Sequence, residues 1–302
     1  MIDGRKPLTP PLSTLRPQPS PRATTEGHQG QREFSFSSAD FERVRKLIYQ
    51  HAGISLSPVK QDMVYSRLAR RLRVTGKNTF AEYLDMLERG DSNEWEGFVN
   101  SLTTNLTSFF REPHHFPIFA EHLQKLGTKR PIRVWCSAAS TGEEPYSIAI
   151  TVLETFGANV SHVSIVATDL DTNVLATAQK GVYPIERVEK MSPDRLKRFF
   201  LKGSGSQEGY VSVRPELKRL IEFQQLNLLE ANWRVRGPID VIFCRNVMIY
   251  FDKPTQYKIL SRFAPMLQSD GLMFAGHSES FLHAADIFKS LGKTVYSLAK
   301  AR

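Results

Sequence analysis

The sequence predicts an α/β protein: a parallel sheet covered by helices, carrying a small inserted antiparallel β-subdomain and preceded by a small all-helical domain. Three observations carry this. Between about residues 34 and 107 the apolar residues recur with helical spacing. After Pro131 short apolar runs alternate with amphipathic segments, the pattern of parallel strands buried on both faces. Between Gly181 and Leu220 there is more chain than one crossover needs, and it holds Gly203, Gly205 and Gly209 before the alternating run Tyr210 to Arg214.

In chain order, residues 1–33 combine Pro7, Pro10, Pro11, Pro17, Pro19 and Pro21 with Ser, Thr, Gly and Arg, and cannot bury enough apolar surface to offset their ordering entropy; a disordered tail is expected. The helical domain, 34–107, begins where Ser38 can cap a helix that buries Phe41, Val44, Leu47 and Ile48 and stops at Gly53. Pro58 opens a second helix with Val64, Leu68 and Leu72 as its stripe. Thr79 and Glu82 have capping-box spacing before a third, ended by Gly90, and Trp95, Phe98, Val99 and Leu102 mark a fourth. The sheet domain, 108–302, offers strands at Ile132 to Ser137, Val163 to Thr168, Ile221 to Leu226, Ile239 to Cys244, Leu272 to Ala275 and Thr294 to Leu298. Helices are expected at Glu143 to Glu154, Thr172 to Gln179 and Pro254 to Leu267, and the insert at about 182–220.

Composition excludes some classes. No apolar stretch approaches the ~18 residues a membrane helix needs, and the chain starts without an apolar signal core, so direct membrane insertion is not expected. Two cysteines, Cys136 and Cys244, are too few for a disulfide framework and fit a cytoplasmic, reducing compartment as buried free thiols. Lys and Arg number 40 against 31 Asp and Glu, a net charge of +9 that favours an acidic partner without naming it.

In an open parallel sheet the ligand lies beyond the carboxyl ends of the strands. The first strand runs into Cys136-Ser-Ala-Ala-Ser-Thr-Gly-Glu-Glu-Pro-Tyr146, whose small side chains allow close approach. A dinucleotide site would want three spaced glycines and a helix N-terminus open to phosphate; here Gly142 stands alone and Glu143 and Glu144 occupy the phosphate position. NAD and ATP fit poorly, whereas S-adenosylmethionine, a sulfonium without phosphate, fits well. The competing reading gives the two glutamates only a favourable place on the helix dipole. Asp169, ending the second strand, stands where a ribose diol is held; Asp171 suits the cap of the next helix.

Four runs, Asn100 to Glu112 (NSLTTNLTSFFRE), Ala138 to Ser147 (AASTGEEPYS), Ile239 to Phe251 (IDVIFCRNVMIYF) and Phe274 to Glu279 (FAGHSE), in this order resemble the chemotaxis receptor methyltransferases, the CheR family. The resemblance covers about residues 34 to 300; Ser108 and Pro113 are its small departures. It implies a Rossmann-like S-adenosylmethionine-dependent methyltransferase domain. It implies that the protein forms methyl esters on glutamates of membrane-bound receptors and leaves S-adenosylhomocysteine as product. By the same resemblance Asn105, Thr107 and Arg111 close over the ligand, Arg111 meeting its methionine carboxylate. Glu144 and Asp169 are the sheet-end acids, Asn227 and Leu228 the adenine contacts, Cys244, Arg245 and Asn246 line the fourth strand's end, and Tyr250 faces the methyl group. Arg111 and Tyr250 are thus the candidate catalytic pair.

The chemistry agrees: a glutamate carboxylate is already ionised at neutral pH and needs placement rather than a strong base, so the lack of a Ser-His-Asp or Cys-His set is no obstacle. His114 and His115 have no ligand cluster around them and read as surface or packing residues, no metal is expected, and His277 stays open. The second helix shows Arg67, Arg70 and Arg71 with Arg73 close by and no acid after Asp62 to pair with them. That face is either merely solvated or an anionic-contact surface, and the resemblance points it at the receptor's Glu- and Gln-rich helices. In the insert, Gly203, Gly205 and Gly209 permit a tight loop beside a strand edge that is either a plain hairpin or, as the resemblance implies, a dock for a receptor C-terminal tail peptide. A monomer is expected. A nucleic-acid methyltransferase would share the sheet but needs base-reading groups that Cys244 to Tyr250 do not supply. A non-catalytic binding module would have no need of both Arg111 and Tyr250.

Overall fold

The computed structural model describes residues 32–90, 92–158 and 160–299; apart from Arg32 and Glu33, the expected N-terminal tail lies outside them. Four helices come first: α1 (Ser38–Ala52), α2 (Gln61–Thr75) after a 3-10 turn at Pro58–Lys60, α3 (Phe80–Glu88) and α4 (Ser92–Leu102). The cap of α1 is Ser37, not Ser38. The reason is reciprocity: Asp40 N–H donates to Ser37 Oγ (3.1 Å) while Asp40 Oδ2 accepts from Ser37 N–H (2.9 Å), a closed capping box. Val44, Ile48, Val64, Leu68, Leu72, Tyr83, Leu84 and Phe98 are fully buried in one cluster, and Leu170 and Tyr250 from the sheet domain pack onto it.

Helix α5 (His115–Leu126) leads into β1 (Ile132–Cys136), α6 (Glu143–Phe156), β2 (Val163–Asp169) and α7 (Thr172–Lys180). The insert follows: β3 (Val182–Pro184), α8 (Pro193–Phe199), β4 (Phe200–Lys202), β5 (Tyr210–Val213) and α9 (Pro215–Lys218). Then come β6 (Ile221–Gln225), β7 (Ile239–Cys244), α10 (Lys253–Phe263), β8 (Leu267–Ala275), β9 (Phe288–Gly292) and β10 (Val295–Leu298). The seven-stranded sheet has the order β6-β2-β1-β7-β8-β10-β9, with all neighbours from β6 through β8 parallel. The chain departs from β1 in both directions, to β2 and to β7, and that reversal opens a crevice above their carboxyl ends.

The sheet is not parallel throughout. The run at 294–298 is antiparallel to β8, and β9, which no strand pattern announces, pairs with it as a hairpin. Its two-residue turn uses Lys293 (φ 51°) and Thr294 (φ 55°), both in the left-handed region and without the Asn-Gly or Asp-Gly pair that announces such a turn. The insert is a separate three-stranded sheet, β3-β5-β4, as its alternation suggested. Its β4–β5 loop is closed by Gly203 N–H donating to Tyr210 O (2.9 Å), and any side chain on Gly203 would strike the Gln207 carbonyl.

Strand alternation divides the core. Val134, Cys136, Val241 and Phe243 face α5 and α6, while Trp135, Ile242, Cys244 and Met273 face the side of α10. Phe243 stacks on Phe274 with centroids 4.6 Å apart and takes the edge of Phe119 at 5.2 Å. Truncation Phe243→Ala should therefore cost about 3–5 kcal/mol, since nothing around so central a ring can collapse into the space. Chemical denaturation would read it, and a loss below about 1 kcal/mol would mean that this layer does not hold the sheet domain together.

Candidate active site

The crevice is a cleft of about 910 Å³, counting space open to solvent, bounded by the ends of β1, β2, β6 and β7, by the 103–107 linker, and by Ala52 and Ile54 of the helical domain. The β1–α6 loop forms its floor. Ser140 (φ 48°) and Gly142 (φ 100°) let the chain turn tightly, and a side chain at Gly142 would collide with Ala178 and the Tyr183 hydroxyl. Ser140 N–H donates to Asp169 Oδ2 (2.8 Å) and Asp171 N–H to Asp169 Oδ1 (3.0 Å). Burial pushes the Asp169 carboxyl up to about 6 even against these bonds. Asp171 caps α7, accepting from Asn173 and Val174 N–H.

The two adjacent glutamates part ways. Glu143 is buried and turned toward the insert, paired with Arg187 (2.6 Å) and accepting from the Thr141 hydroxyl (2.6 Å). Glu144 lines the cleft, where Arg245 Nη1 meets its Oε2 at 2.6 Å and the Cys136 thiol lies 3.4 Å from its Oε1. Burial pushes both the Glu144 carboxyl and the Cys136 thiol up.

Arg245 has no exposed side-chain surface: besides Glu144 it reaches Glu112 (3.3 Å) and donates to the Arg111 carbonyl. Burial alone would raise the Glu112 carboxyl, but hydrogen bonds from His277 N–H and its ring (3.0 Å each), the charge of Arg245 and the Asn246 amide outweigh it and hold Glu112 at about 2. The open case of His277 thus resolves into an exposed ring bonded to Glu112. Glu279 accepts from Gly276, Asn246 and Met248 N–H and so fixes the turn after β7, where Asn246 sits at φ 58°.

Asn105 Nδ2 donates to Asp171 Oδ2 (2.9 Å), the Ser140 hydroxyl to Asn105 O (3.2 Å), and the Tyr250 hydroxyl to Thr104 O (3.1 Å), which draws the linker across the cleft. Thr107 and Arg111 lie along the same wall, with Arg111 Nη1 on Leu106 O (2.9 Å). Asn227 and Leu228 are also in the lining; the Asn227 side chain is occupied by Leu229 N–H and, through Nδ2, by His51 O, both at 2.9 Å.

Two expectations need correction. Cys244 is not in the cleft: alternation along β7 turns its side chain down among Trp135, Met248 and Phe263, fully buried, while Arg245 and Asn246 line the cavity. The basic face of α2 does have partners. Arg71 forms a two-point pair with Glu94 (2.6 and 2.8 Å), and Arg67 donates to the Thr103 and Ser101 carbonyls and the Thr104 hydroxyl. Glu94 lies a helix and a turn further along the chain, out of reach of any search along α2 itself. Arg70 and Arg73 are exposed. An apolar wall comes from Ala52, Ile54, Leu102 and Phe251, of which Ala52 and Ile54 lie outside every run that carries the resemblance. His115 is a packing residue, its Nε2 beside Lys293 O (2.9 Å), and burial pushes it down to about 4. Among the described residues no cluster of His, Cys, Asp and Glu could hold a metal ion.

Apolar lining residues, a carboxylate at the end of β2, a second buried carboxylate and an arginine in the wall suit a nucleoside that carries a cationic centre and a carboxylate but no phosphate. On this sheet that donor set defines an S-adenosylmethionine-dependent methyltransferase. The descriptions "CheR methyltransferase, all-alpha domain" and "CheR methyltransferase, SAM binding domain" match residues 39–103 and 105–297. The chain is 52% identical over 280 residues to "Chemotaxis protein methyltransferase 2" of Pseudomonas aeruginosa, covering 92% of this chain and 100% of that one. It is 53% identical over 267 residues to "Chemotaxis protein methyltransferase" of Salmonella typhimurium, covering 88% and 92%. The same-named protein of Escherichia coli is 52% identical over 267 residues, covering 88% and 93%. The chain belongs to the CheR methyltransferase family.

Removing the cation between two buried acids should be severe. Arg245→Ala is expected to cost about 3–5 kcal/mol in stability near neutral pH. Without Arg245 the Glu144 carboxyl, already raised by burial, rises further while Glu112 keeps its bonds from His277 and Asn246, so the variant should regain stability as pH falls and Glu144 protonates. Denaturation at neutral and at acid pH checks this; a variant as stable as wild type at neutral pH would mean that Glu112 and Glu144 do not need the cation.

Proposed function

We propose that this protein transfers the methyl group of S-adenosylmethionine to glutamate side chains in the cytoplasmic region of membrane-bound chemotaxis receptors, forming methyl esters in sensory adaptation. The observation that carries this reading is the meeting of Asp169, Glu144, Arg111 and Tyr250 in one cleft of a CheR-family chain. Bound S-adenosylmethionine supplies an electrophilic methyl on sulfur. Asp169 accepts hydrogen bonds from the ribose diol, Glu144 faces the ligand's ammonium group, and Arg111 pairs with its carboxylate. Leu228 and the backbone at Asn227 border the adenine, while Asn105 and Thr107 close the wall and Arg245 and Asn246 hold the far side. The substrate carboxylate arrives ionised, so the protein's task is alignment, with the Tyr250 phenol and the Arg111 cation compensating charge as it shifts.

Arg70 and Arg73 give α2 an exposed cationic surface for an acidic receptor helix. In the insert β4 is an outer strand with Leu201 and Lys202 exposed, suited to taking a receptor tail peptide as one more strand, with the glycine loop at 203, 205 and 209 setting its end. A single copy acting in the cytoplasm meets both needs; among the described residues no helix is long and apolar enough to cross a membrane. Labelled S-adenosylmethionine offered to receptor-bearing membranes, nucleic acid and soluble protein decides the substrate. Alkali-labile label in the receptor is expected, and label in nucleic acid overturns the reading.

The Asp169 assignment has its own pH signature. A carboxyl held near 6 is protonated in the free protein below that pH, and a ribose diol binds the ionised form. Affinity for S-adenosylhomocysteine should be steady above neutrality and fall below pH 6, by up to about tenfold per unit. Asp169→Ala should lose roughly ten- to a hundredfold at neutral pH. Calorimetric titration on either side of pH 6 reads both, and unchanged affinity in the folded variant would remove Asp169 from the ligand site.

A further inference from the structure

Arg67 sits on the basic face of α2, yet its guanidinium points into the protein. Nη1 donates to Thr103 O (2.6 Å) and Ser101 O (3.3 Å), and Nη2 to the Thr104 hydroxyl (3.1 Å). These acceptors are the last turn of α4 and the first residues of the linker. A cation at a helix C-terminus meets carbonyls that have no partner within the helix, so the placement is favourable in itself. It also has a direction: Thr103 and Thr104 line the cleft, and the carbonyl of Thr104 accepts the Tyr250 hydroxyl (3.1 Å). The Thr103 hydroxyl donates to Asp171 Oδ2 (3.2 Å), beside the carboxylate at the end of β2. One guanidinium therefore fixes, through its side chain and the preceding carbonyl, the residue whose own carbonyl holds the phenol.

We infer that Arg67 is a positioning residue for methyl transfer: by clamping Thr103 and Thr104 it sets the linker wall of the cleft and, through the Thr104 carbonyl, the place of the Tyr250 hydroxyl. The inference rests on the reading of Tyr250 as the residue facing the transferred methyl. It separates two tasks on one helix face, with Arg67 turned toward the chemistry and Arg70 toward the partner.

The fork is the testable property. Lysine keeps the charge but cannot reach Thr103 O and Thr104 Oγ1 at once. If Arg67 acts as a clamp, Arg67→Ala and Arg67→Lys should both weaken S-adenosylhomocysteine binding about three- to tenfold and lower kcat about tenfold, with receptor KM and its salt dependence unchanged. Arg70→Ala should do the reverse, raising receptor KM with ligand affinity intact. Thr104→Val, which removes one acceptor and leaves Arg67 in place, should weaken the ligand in the same direction, and it carries the test should the arginine variants fold poorly. Combined with Tyr250→Phe, Arg67→Ala should lower kcat by no more than about twofold beyond Tyr250→Phe alone, because the two act in series. Arg67→Lys behaving as wild type while Arg67→Ala raises only receptor KM would overturn the inference, as would unchanged ligand affinity and kcat in Arg67→Ala or unchanged ligand affinity in Thr104→Val. Ligand affinity is read without any receptor, so failure of the receptor reading would show as absent receptor label and leave this arm standing.

Discussion

The buried Arg245 joins three parts of the chain that the sequence keeps far apart: Glu112 after the linker, Glu144 on α6 and the end of β7. Taking one cation and two carboxylates out of water is expensive, and the arrangement holds because each charge faces an opposite one and Glu112 also collects bonds from His277 and Asn246. What the triad secures is register. The linker cannot slide along the cleft without stripping Arg245 of a carboxylate and of the Arg111 carbonyl. Arg111 is therefore delivered to the wall of the cleft by a neighbour that lines the same cleft.

The helical domain is part of the cleft rather than an ornament on it. Ala52 and Ile54 supply one wall, Asn227 reaches the His51 carbonyl, and Ser55 N–H donates to the Tyr250 carbonyl (2.8 Å). Tyr250 consequently answers to two neighbours, its backbone to the segment after α1 and its hydroxyl to the linker. A site assembled across a domain junction in this way depends on the helices holding their place, which explains why α2 and α4 are tied by side chains as specific as Arg67 and Arg71.

The sheet, its strand-end carboxylate Asp169 and the run of small residues between β1 and α6 were legible because each follows from local rules: strand periodicity, the place of ligands at strand ends, and the absence of a glycine-rich phosphate loop. Other features had no local signature. Glu94 pairs with Arg71 across two helices, and Ala52 and Ile54 become walls only through packing. The β9–β10 turn places Lys293 and Thr294 in a conformation their side chains do not announce. Cys244 is the opposite case, since alternation along β7 is itself a local rule and turns its side chain to the α10 face, away from the cleft.

The insert has a fixed base and an open tip. At the base, the Tyr183 hydroxyl donates to Thr141 O (2.7 Å), Arg187 pairs with Glu143, and Phe109 wedges between Tyr183 and Phe200 (ring centroids 5.1 and 5.5 Å), so this end is mortised into the loop that floors the cleft. The tip at 203–209 makes its backbone bonds within the insert, to Tyr210 and Ile185. Substitution is therefore costly at the base, whereas at the tip the constraint falls on the glycines, above all Gly203 against the Gln207 carbonyl. The outer hairpin can change between its glycines while the floor of the cleft keeps its shape.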